Sequence, residues 1–312
     1  MNTRTLLAIA VLAVAVRPTT AQVVFTDDFD DDSSGLYRVL EFNPDRDGAN
    51  FAFDHGALGI PSAPNSEGGS ALGVQLWANN PAAGTTNAPS AVQLIPQGVG
   101  KTIAGQSYRM SFDVWMNVNG PLPGGGTGST EAFLVGAGWN GMQPIEVGTE
   151  NGTYFSVTGE GGSSTDVRIF DSAGFNAAGT IAGPGPNTAD PYYTDVFPGG
   201  VDVGALPVQG GQDAQTGTTA PGQMAFQWHR VDLEVMGDTA NFYVDDLLIG
   251  TSSGSDLEGN LMLGYGDYFG SETDAPQWSF GIIDNLEVNV VPEPSALALA
   301  LLGVIGLLRF RR

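Results

Sequence analysis

Residues 227–251 read QWHRVDLEVMGDTANFYVDDLLIGT, and this stretch decides the fold. Apolar residues at positions 231, 233 and 235 alternate with charged ones, which is the period of a strand with one buried face. Gly237-Asp238 and Asp245-Asp246 are dipeptides of the kind at which a chain reverses direction. The stretch therefore predicts two adjacent β-hairpins.

The same alternation recurs along most of the chain. It appears at residues 37–42, 71–77, 91–95, 107–118, 153–157, 165–170, 226–235, 241–249 and 279–290. Loops rich in Gly, Pro, Thr and Asn separate these segments, and no amphipathic helix of three turns interrupts them. We therefore expect one all-β domain spanning residues 22–290.

The hairpin stretch resembles the central hairpins of concanavalin A-like and laminin-G-like jelly rolls. In that family a Trp-His pair begins one strand, and a Tyr-Val-Asp-Gly turn precedes a short return strand. The matching residues are Trp228, His229, Tyr243, Val244 and Asp245, and an aspartate replaces the glycine. FTDDF at 25–29 and SFGIIDNLEV at 279–288 resemble the first and last strands, which pair in that family. The resemblance implies a two-sheet antiparallel jelly-roll sandwich.

The last residues, 291–312, read VPEPSALALALLGVIGLLRFRR. Proline ends the preceding β run, and residues 295–308 carry no charge, which is typical of a helix in hydrocarbon. At about 1.5 Å per residue this helix is roughly 21 Å long, so it is a short transmembrane helix. Arg309, Arg311 and Arg312 form a basic stop that stays cytoplasmic by the positive-inside rule.

The order Pro-Glu-Pro, apolar helix, basic end resembles the PEP-CTERM sorting signal of Gram-negative bacteria. Pro292, Glu293 and Pro294 then form the sorting motif. The resemblance implies that an exosortase, a membrane-embedded transpeptidase, processes residues 291–312. The chain is then anchored transiently in the membrane and delivered to the cell surface or the extracellular matrix.

The first 21 residues have the pattern of a secretory signal peptide. Arg4 precedes an apolar run at 6–16, and small residues end at Ala21, where a signal peptidase cleaves. We expect a helical signal peptide over residues 1–21 and signal peptidase as a partner. The chain is therefore expected to be exported.

The predicted mature region is strongly acidic and has no cysteine. Residues 22–290 hold 6 basic and 33 acidic residues, a net charge of −27. Such a charge repels nucleic acid and suits divalent cations, a hydrated matrix or simple solubility. Because no disulfide is available, stability has to come from a large apolar core or from a metal ion.

The sequence offers little support for catalysis. Family 16 glycoside hydrolases of this sandwich class place Glu-x-Asp-x-x-Glu on one strand, whereas the nearest pattern here is Glu272-Thr-Asp274-Ala-Pro-Gln277. A glutamine cannot cycle a proton, and the two histidines, His55 and His229, are far apart in the sequence. We predict a non-catalytic protein of the cell surface or exopolysaccharide matrix, whose sandwich either binds extracellular polysaccharide or simply structures the extracellular layer. The alternative is a divergent polysaccharide-acting glycoside hydrolase.

Two alternative calcium sites are predicted, one from residue spacing and one from the jelly-roll resemblance. The spacing of Asp30, Asp32, Ser34 and Glu41 satisfies an EF-hand loop, although the flanking residues do not predict helices and favour a short Asp-rich turn between strands. In the jelly-roll relatives a structural Ca²⁺ joins the first strand, a turn carbonyl and an aspartate of the last strand. The resemblance assigns these roles to Asp28, Gly56 and Asp284.

A sugar-binding surface needs an exposed aromatic ring. Trp139 lies between glycines in GAGWNGM, and of the five tryptophans it is our candidate for exposure and for contact with glycan. For each tryptophan taken singly, a place in the core is the favoured interpretation.

Overall fold

The computed structural model describes residues 21–82, 89–139, 152–171, 174–175, 179–206 and 215–291 of the chain. Gln22–Val291 forms one compact unit. Except for Ala21 and Val291, the predicted signal helix and sorting tail lie outside the described residues. Among the residues that are described, no helix is long and apolar enough to cross a bilayer.

Sixteen strands and one short helix make up the regular structure of the described residues. The strands are β1 Gln22–Asp27, β2 Tyr37–Glu41, β3 Gly48–Asp54, β4 Leu72–Trp77, β5 Ser90–Pro96, β6 Tyr108–Asn117, β7 Glu131–Trp139, β8 Thr153–Thr158, β9 Val167–Asp171, β10 Gly174–Phe175, β11 Gly179–Ile181, β12 Trp228–Met236, β13 Thr239–Val244, β14 Leu247–Ser253, β15 Asn260–Asp267 and β16 Phe280–Val290. The helix is α1, Val99–Ile103.

The strands form two antiparallel sheets. The larger sheet has nine strands in the order β11-β14-β13-β12-β6-β16-β4-β3, with β1 also paired to β16. The smaller sheet has seven, in the order β10-β9-β8-β7-β15-β5-β2. Every strand pair in both is antiparallel. The predicted two-sheet antiparallel sandwich is confirmed, as is the pairing of its first and last strands.

The core lies between the two sheets. Alternate residues of β6, such as Met110 and Phe112, face Phe133, Phe155 and other inward side chains of the smaller sheet, and all are fully buried. Burying a large apolar side chain contributes about 1.5–3 kcal/mol. Because the chain has no cysteine, this apolar layer stabilises the fold in place of disulfide bonds.

The hairpins predicted from residues 227–251 are present. β12, β13 and β14 pair in sequence, with turns at 237–238 and 245–246. Asp245 (φ 47°) and Asp246 (φ 65°) are both left-handed, which is the backbone of a type I′ turn. The turn therefore accommodates Asp246 at the position where the jelly-roll family has glycine.

Strands β3, β7, β10, β11 and β15 were not predicted. In β7 every residue is buried, because its outward side chains pack in a second apolar cluster that includes Leu134, Tyr154 and Met262. After Glu131 every residue of β7 is apolar or glycine, so the sequence shows no alternation of apolar and polar residues. Its neighbour β15 is buried in the same way, apart from its first residue.

Candidate functional site

A row of charged side chains crosses the outer face of the larger sheet, which we define as the side away from the smaller sheet. In the strand register Arg230 of β12 lies opposite Asp113 of β6, and Asp113 lies opposite Asp284 of β16. These residues alternate with core residues such as Val231 and Phe112, so their side chains point outward. Three strands distant in sequence therefore bring one guanidinium and two carboxyl groups together.

The carboxylate of Asp113 accepts four hydrogen bonds. Its carboxylate accepts hydrogen bonds from Nη1 of Arg230 at 3.1 Å, Nδ2 of Asn65 at 2.8 Å and Nδ2 of Asn285 at 2.9 Å. The backbone N–H of Asn65 adds a fourth, at 3.3 Å. Only 1% of Asp113 is exposed, and these donors offset the cost of burying its charge.

Asp284 has a different environment. Burial raises the pKa of its carboxyl group to about 7, and the neighbouring Asp113 and Asp30 add to the rise. The hydroxyl of Ser66 donates to Oδ2 at 2.6 Å and the N–H of Asn285 donates to Oδ1 at 2.7 Å, and both bonds oppose the rise in pKa. Two carboxyl groups on facing positions thus have different hydrogen-bond partners.

A segment that we call the strap, residues 61–70, covers this row. Asn65 binds Asp113 and Ser66 binds Asp284, while Ser70 donates to Asp30. At its other end the indole N–H of Trp228 donates to the carbonyl of Pro61 at 2.7 Å. The strap is therefore fixed across β12, β6 and β16, and it buries both carboxyl groups.

An open groove of about 520 Å³ lies beside the strap. Four acidic residues line it, of which Asp28, Glu67 and Glu287 are at least partly exposed, whereas Asp27 is buried and its carboxylate accepts the hydroxyl of Tyr37. Arg230, Asn65 and Asn285 complete its polar lining. A β-bulge in β16 after Asp284 gives Asn285 a left-handed backbone (φ 53°), and the side chain of Asn285 reaches Asp113.

A tryptophan lies close to this groove. Trp228 precedes Arg230 by two positions on β12, so both side chains share the outer face and lie about 7 Å apart along the strand. Its half-buried ring contacts Trp115 and His55, with centroid distances of 5.8 and 5.3 Å. An aromatic ring and a set of hydrogen-bonding groups therefore occur side by side.

The expectation that Trp139 is exposed was wrong. It is the last residue of β7, only 1% exposed, and its ring meets the edge of Tyr154 at 5.7 Å. The glycine before it does not mark an exposed loop. A Cβ on Gly138 would lie 2.2 Å from the carbonyl oxygen of Asp256, so this glycine serves close packing.

The three residues assigned to the jelly-roll calcium site have separate roles. Asp28 is exposed and lines the groove, the Gly56 carbonyl accepts the N–H of Gly59 at 2.9 Å, and Asp284 is held by Ser66. Within the described part of the chain, no group of three or more His, Cys, Asp or Glu is placed to hold a metal ion. Calcium binding stays a prediction.

The residues of the alternative calcium loop, which is the EF-hand-like segment 30–41, lie in two different parts of the structure. Asp30 accepts a hydrogen bond from Ser70, and Asp32 accepts one from the N–H of Ser34 at 3.1 Å. Glu41 ends β2 in the smaller sheet. The loop lies between β1 and β2 and not between the two helices of an EF-hand.

The other residues considered for catalysis are engaged elsewhere. His229 is 2.7 Å from Oδ2 of Asp245 and 3.1 Å from the Met224 carbonyl, so its ring is satisfied locally. Glu272 forms an ion pair with the buried Arg46 at 3.2 Å, and Asp274 accepts a hydrogen bond from Asn119. Residues 276–278 form a 3₁₀ turn, so the end of this pattern does not lie on a strand.

The sequence did not single out Asp113, Arg230, Asn65 or Asn285. Alternation in β6 and β12 gave a weak signal, since charged positions fall among apolar ones. It could not show that these charged positions face each other, because register across strands distant in sequence is set by tertiary pairing.

Fold and site together define a protein class, the acidic antiparallel β-sandwich with a polar groove on one outer face. The end of the chain adds the particular assignment. Residues 290–312 match the PEP-CTERM protein-sorting motif. The chain thus carries the signal of an exported protein that is anchored in the membrane and processed by an exosortase through its C-terminus.

No curated protein matches the chain. Among solved structures, it is similar to a Bacillus licheniformis β-glucanase (11% identity, TM-score 0.41, covering 88% of this chain and 100% of that one). A Bacillus subtilis protein of unknown function with a galectin-like fold has 9% identity and a TM-score of 0.40, with 88% and 100% covered. The carbohydrate-binding module CBM66 of Bacillus subtilis has 12% identity and a TM-score of 0.34, with 69% and 84% covered. The assignment of the sandwich rests on the strand pairing.

Proposed function

We propose that this exported protein is a non-catalytic saccharide-binding protein of the cell surface or extracellular matrix. The groove beside the strap is its binding surface. The observation that carries the proposal is the juxtaposition of this open polar groove with the half-buried indole of Trp228.

The chemistry of the groove suits sugar hydroxyl groups. A hydroxyl donates to a carboxylate such as Glu67 or Glu287 and accepts from an amide such as Asn65. The apolar face of a sugar ring packs on an aromatic face, which Trp228 supplies. Such sites combine a few placed polar groups with an aromatic surface.

Burial of the facing carboxyl groups supports a non-catalytic role. Asp113 and Asp284 are each 1% exposed, and the strap lies over them. A glycosidic bond has to come within hydrogen-bonding distance of an acid and a nucleophile before either can act. With the strap in this position, Asp113 and Asp284 stabilise the strap and are not accessible to a substrate.

A glycoside hydrolase is the second candidate, and one specific observation favours it. Asp113 and Asp284 are opposite each other on adjacent strands, and retaining enzymes likewise hold two carboxyl groups close together, roughly 5–5.5 Å apart. The pKa of Asp284, about 7, is that of a general acid. Release of reducing ends from a polysaccharide, abolished by Asp113→Asn, would establish the enzyme and overturn the non-catalytic proposal.

The binding proposal is tested on a glycan array followed by titration of the best ligand. We expect Trp228→Ala to weaken binding about tenfold, because one central aromatic contact commonly carries more than 1 kcal/mol. Trp228→Phe keeps a ring and should retain most of the affinity. Phe269→Ala is the matched control, since it removes a ring that is 57% exposed and lies outside the groove.

Each variant is checked for native circular dichroism before titration. Full affinity in folded Trp228→Ala would remove this surface as the site. The array is run with calcium and with a chelator, which also tests the predicted calcium ion. A ligand that is lost on chelation would support a calcium-dependent site.

A further inference from the structure

We propose that the groove selects saccharides that carry free, positively charged amino groups, that is, amino-sugar polymers that are not fully acetylated. This inference rests on the proposed function, because it names the ligand class of the same groove. It follows from the charges that line the groove and from how each charge is already engaged.

The lining of the groove has an excess of negative charge. Asp28, Glu67 and Glu287 contribute three accessible carboxylates, and Arg230 is the single cation among the lining residues. Among the described residues, no ion pair within 4.0 Å involves any of these three carboxylates. The groove therefore holds acceptors for which the chain supplies no cationic partner.

The charge of Arg230 does not offset this excess. Its Nη1 lies 3.1 Å from Oδ1 of Asp113 and 3.2 Å from the carbonyl oxygen of Asn285. Asp113 is buried, and this arginine is its one ion-pair partner among the described residues. The positive charge of the guanidinium is therefore paired with the buried carboxylate of Asp113.

The carboxylates are held in place by neutral donors. Oδ1 of Asp28 accepts a hydrogen bond from the backbone N–H of Asp30 at 3.2 Å. The side-chain amide of Asn289 donates to Oε1 of Glu287 at 2.7 Å. These bonds orient the carboxylates without neutralising them, so the groove presents fixed negative charges to a ligand.

An ammonium group on a sugar matches this arrangement. It offers three N–H donors and a positive charge, and hydrogen bonds between ionised partners are roughly twice as strong as those between neutral ones. An acetylated amine offers one neutral donor. A saccharide bearing carboxylate or sulfate groups is repelled by the groove and by the whole domain, whose net charge is −27.

The test compares two ligands of equal length, a glucosamine hexamer and an N-acetylglucosamine hexamer, titrated into the full-length protein. We expect the glucosamine hexamer to bind at least about tenfold more tightly at 0.1 M salt. Raising the salt to 1 M should remove most of this difference, because the Debye length falls from about 10 Å to about 3 Å.

Two variants locate the effect in the groove. Glu67→Gln and Glu287→Gln should each weaken binding of the glucosamine hexamer about two- to fivefold, as expected for one exposed charge pair. Neither should change binding of the acetylated hexamer. Glu258→Gln, which removes a carboxylate from an exposed loop outside the groove, is the matched control and should change neither affinity.

Failure of the inference is distinguishable from failure of the proposed function. Equal affinity for the two hexamers, preference for the acetylated one, or binding only in the presence of a divalent cation overturns the inference and leaves saccharide binding intact. Binding of other neutral saccharides but of neither hexamer does the same. A glycan array with no ligand at all overturns the proposed function itself.

Discussion

At the scale of single residues, position in the sheet decides what an aspartate does. Asp113 and Asp284 are the same residue type on facing positions of adjacent strands. Asp113 lies beside the guanidinium of Arg230, whereas Asp284 receives a hydroxyl and one backbone N–H and has carboxyl groups for neighbours. Local environment, and not residue type, raises the pKa of Asp284 well above that of an ordinary aspartate.

Asp284 makes the protein less stable as the pH rises from about 4 to about 7. Its pKa is about 7 in the folded state, against about 3.9 in an unfolded chain. Below pH 4 both states are protonated and there is no penalty, whereas above pH 7 the folded state pays the full cost of ionising the buried group. We expect Asp284→Asn to raise the free energy of unfolding at pH 8 by up to a few kcal/mol.

The measurement is urea unfolding of both proteins at pH 4 and pH 8. The gain should be present at pH 8 and absent at pH 4. Asp238→Asn, at an exposed turn, is the control and should leave the pH dependence unchanged. Equal effects of Asp284→Asn at the two pH values would contradict the assignment of a raised pKa to this group.

At the scale of elements, the turn between β13 and β14 separates two neighbouring aspartates. The carboxylate of Asp245 accepts hydrogen bonds from the backbone N–H of Arg230 at 2.8 Å and contacts His229 at 2.7 Å. Asp246 also has a positive φ, and its carboxylate has no such anchoring role among the contacts described. One side chain ties the turn to β12, and the other only occupies a left-handed position.

Glycine substitutions in this turn should therefore have opposite effects. Asp246→Gly relieves a left-handed backbone that costs an ordinary residue about 1 kcal/mol, partly offset by the freedom that glycine gives the unfolded chain. We expect a change in unfolding free energy between zero and about 1 kcal/mol of stabilisation. Asp245→Gly should destabilise by about 1–3 kcal/mol, because it leaves buried donors without an acceptor. Thermal and urea unfolding report both values, and the same sign for both would contradict this account.

At the scale of the whole molecule, charge is the dominant feature. Residues 22–290 carry 33 acidic and 6 basic side chains, and no disulfide opposes their repulsion. Burial raises the pKa of several carboxyl groups, among them Asp47, Glu131 and Asp267, so ionising them at higher pH costs stability. Repulsion and buried acids both favour the folded state at lower pH.

Salt should stabilise the protein at pH 8 and have little effect at pH 4.5. Screening weakens the repulsion among ionised carboxylates, and at pH 4.5 many of them are protonated. Differential scanning fluorimetry over a range of NaCl concentrations measures the effect as a rise in Tm. A Tm that falls with salt at pH 8 would show that attractive ion pairs, such as Arg109–Asp232, outweigh the repulsion.

The sorting motif predicts a defined maturation event. In cells with the exosortase, intact mass should show a product lacking part of residues 291–312, whereas cells without it should retain the whole chain in the membrane fraction. Pro292→Ala or Glu293→Ala should give the second result in the presence of the enzyme. An unprocessed C-terminus in both strains would contradict the assignment from the matched motif. The same measurement at the N-terminus tests the predicted cleavage by signal peptidase after Ala21.

The sequence predicted strands in which polar and apolar residues alternate. It predicted β6 and β12, where alternation is clear, and it failed for β7 and β15, which are buried on both faces and show little alternation. The same cause explains the wrong expectation for Trp139. A glycine-flanked tryptophan resembles a loop residue until the apolar cluster on the smaller sheet is known.

What the sequence alone determined was local. Period-two alternation and turn dipeptides defined the hairpins, and Pro-Glu-Pro before an apolar run and three arginines identified the sorting tail, because each signal lies within a few neighbouring residues. Only the tertiary structure decided the site. Asp113, Arg230 and Asp284 are more than fifty positions apart in the chain, and antiparallel pairing of β12, β6 and β16 places them side by side. Their register depends on the packing of the whole sandwich, which no single stretch of sequence encodes.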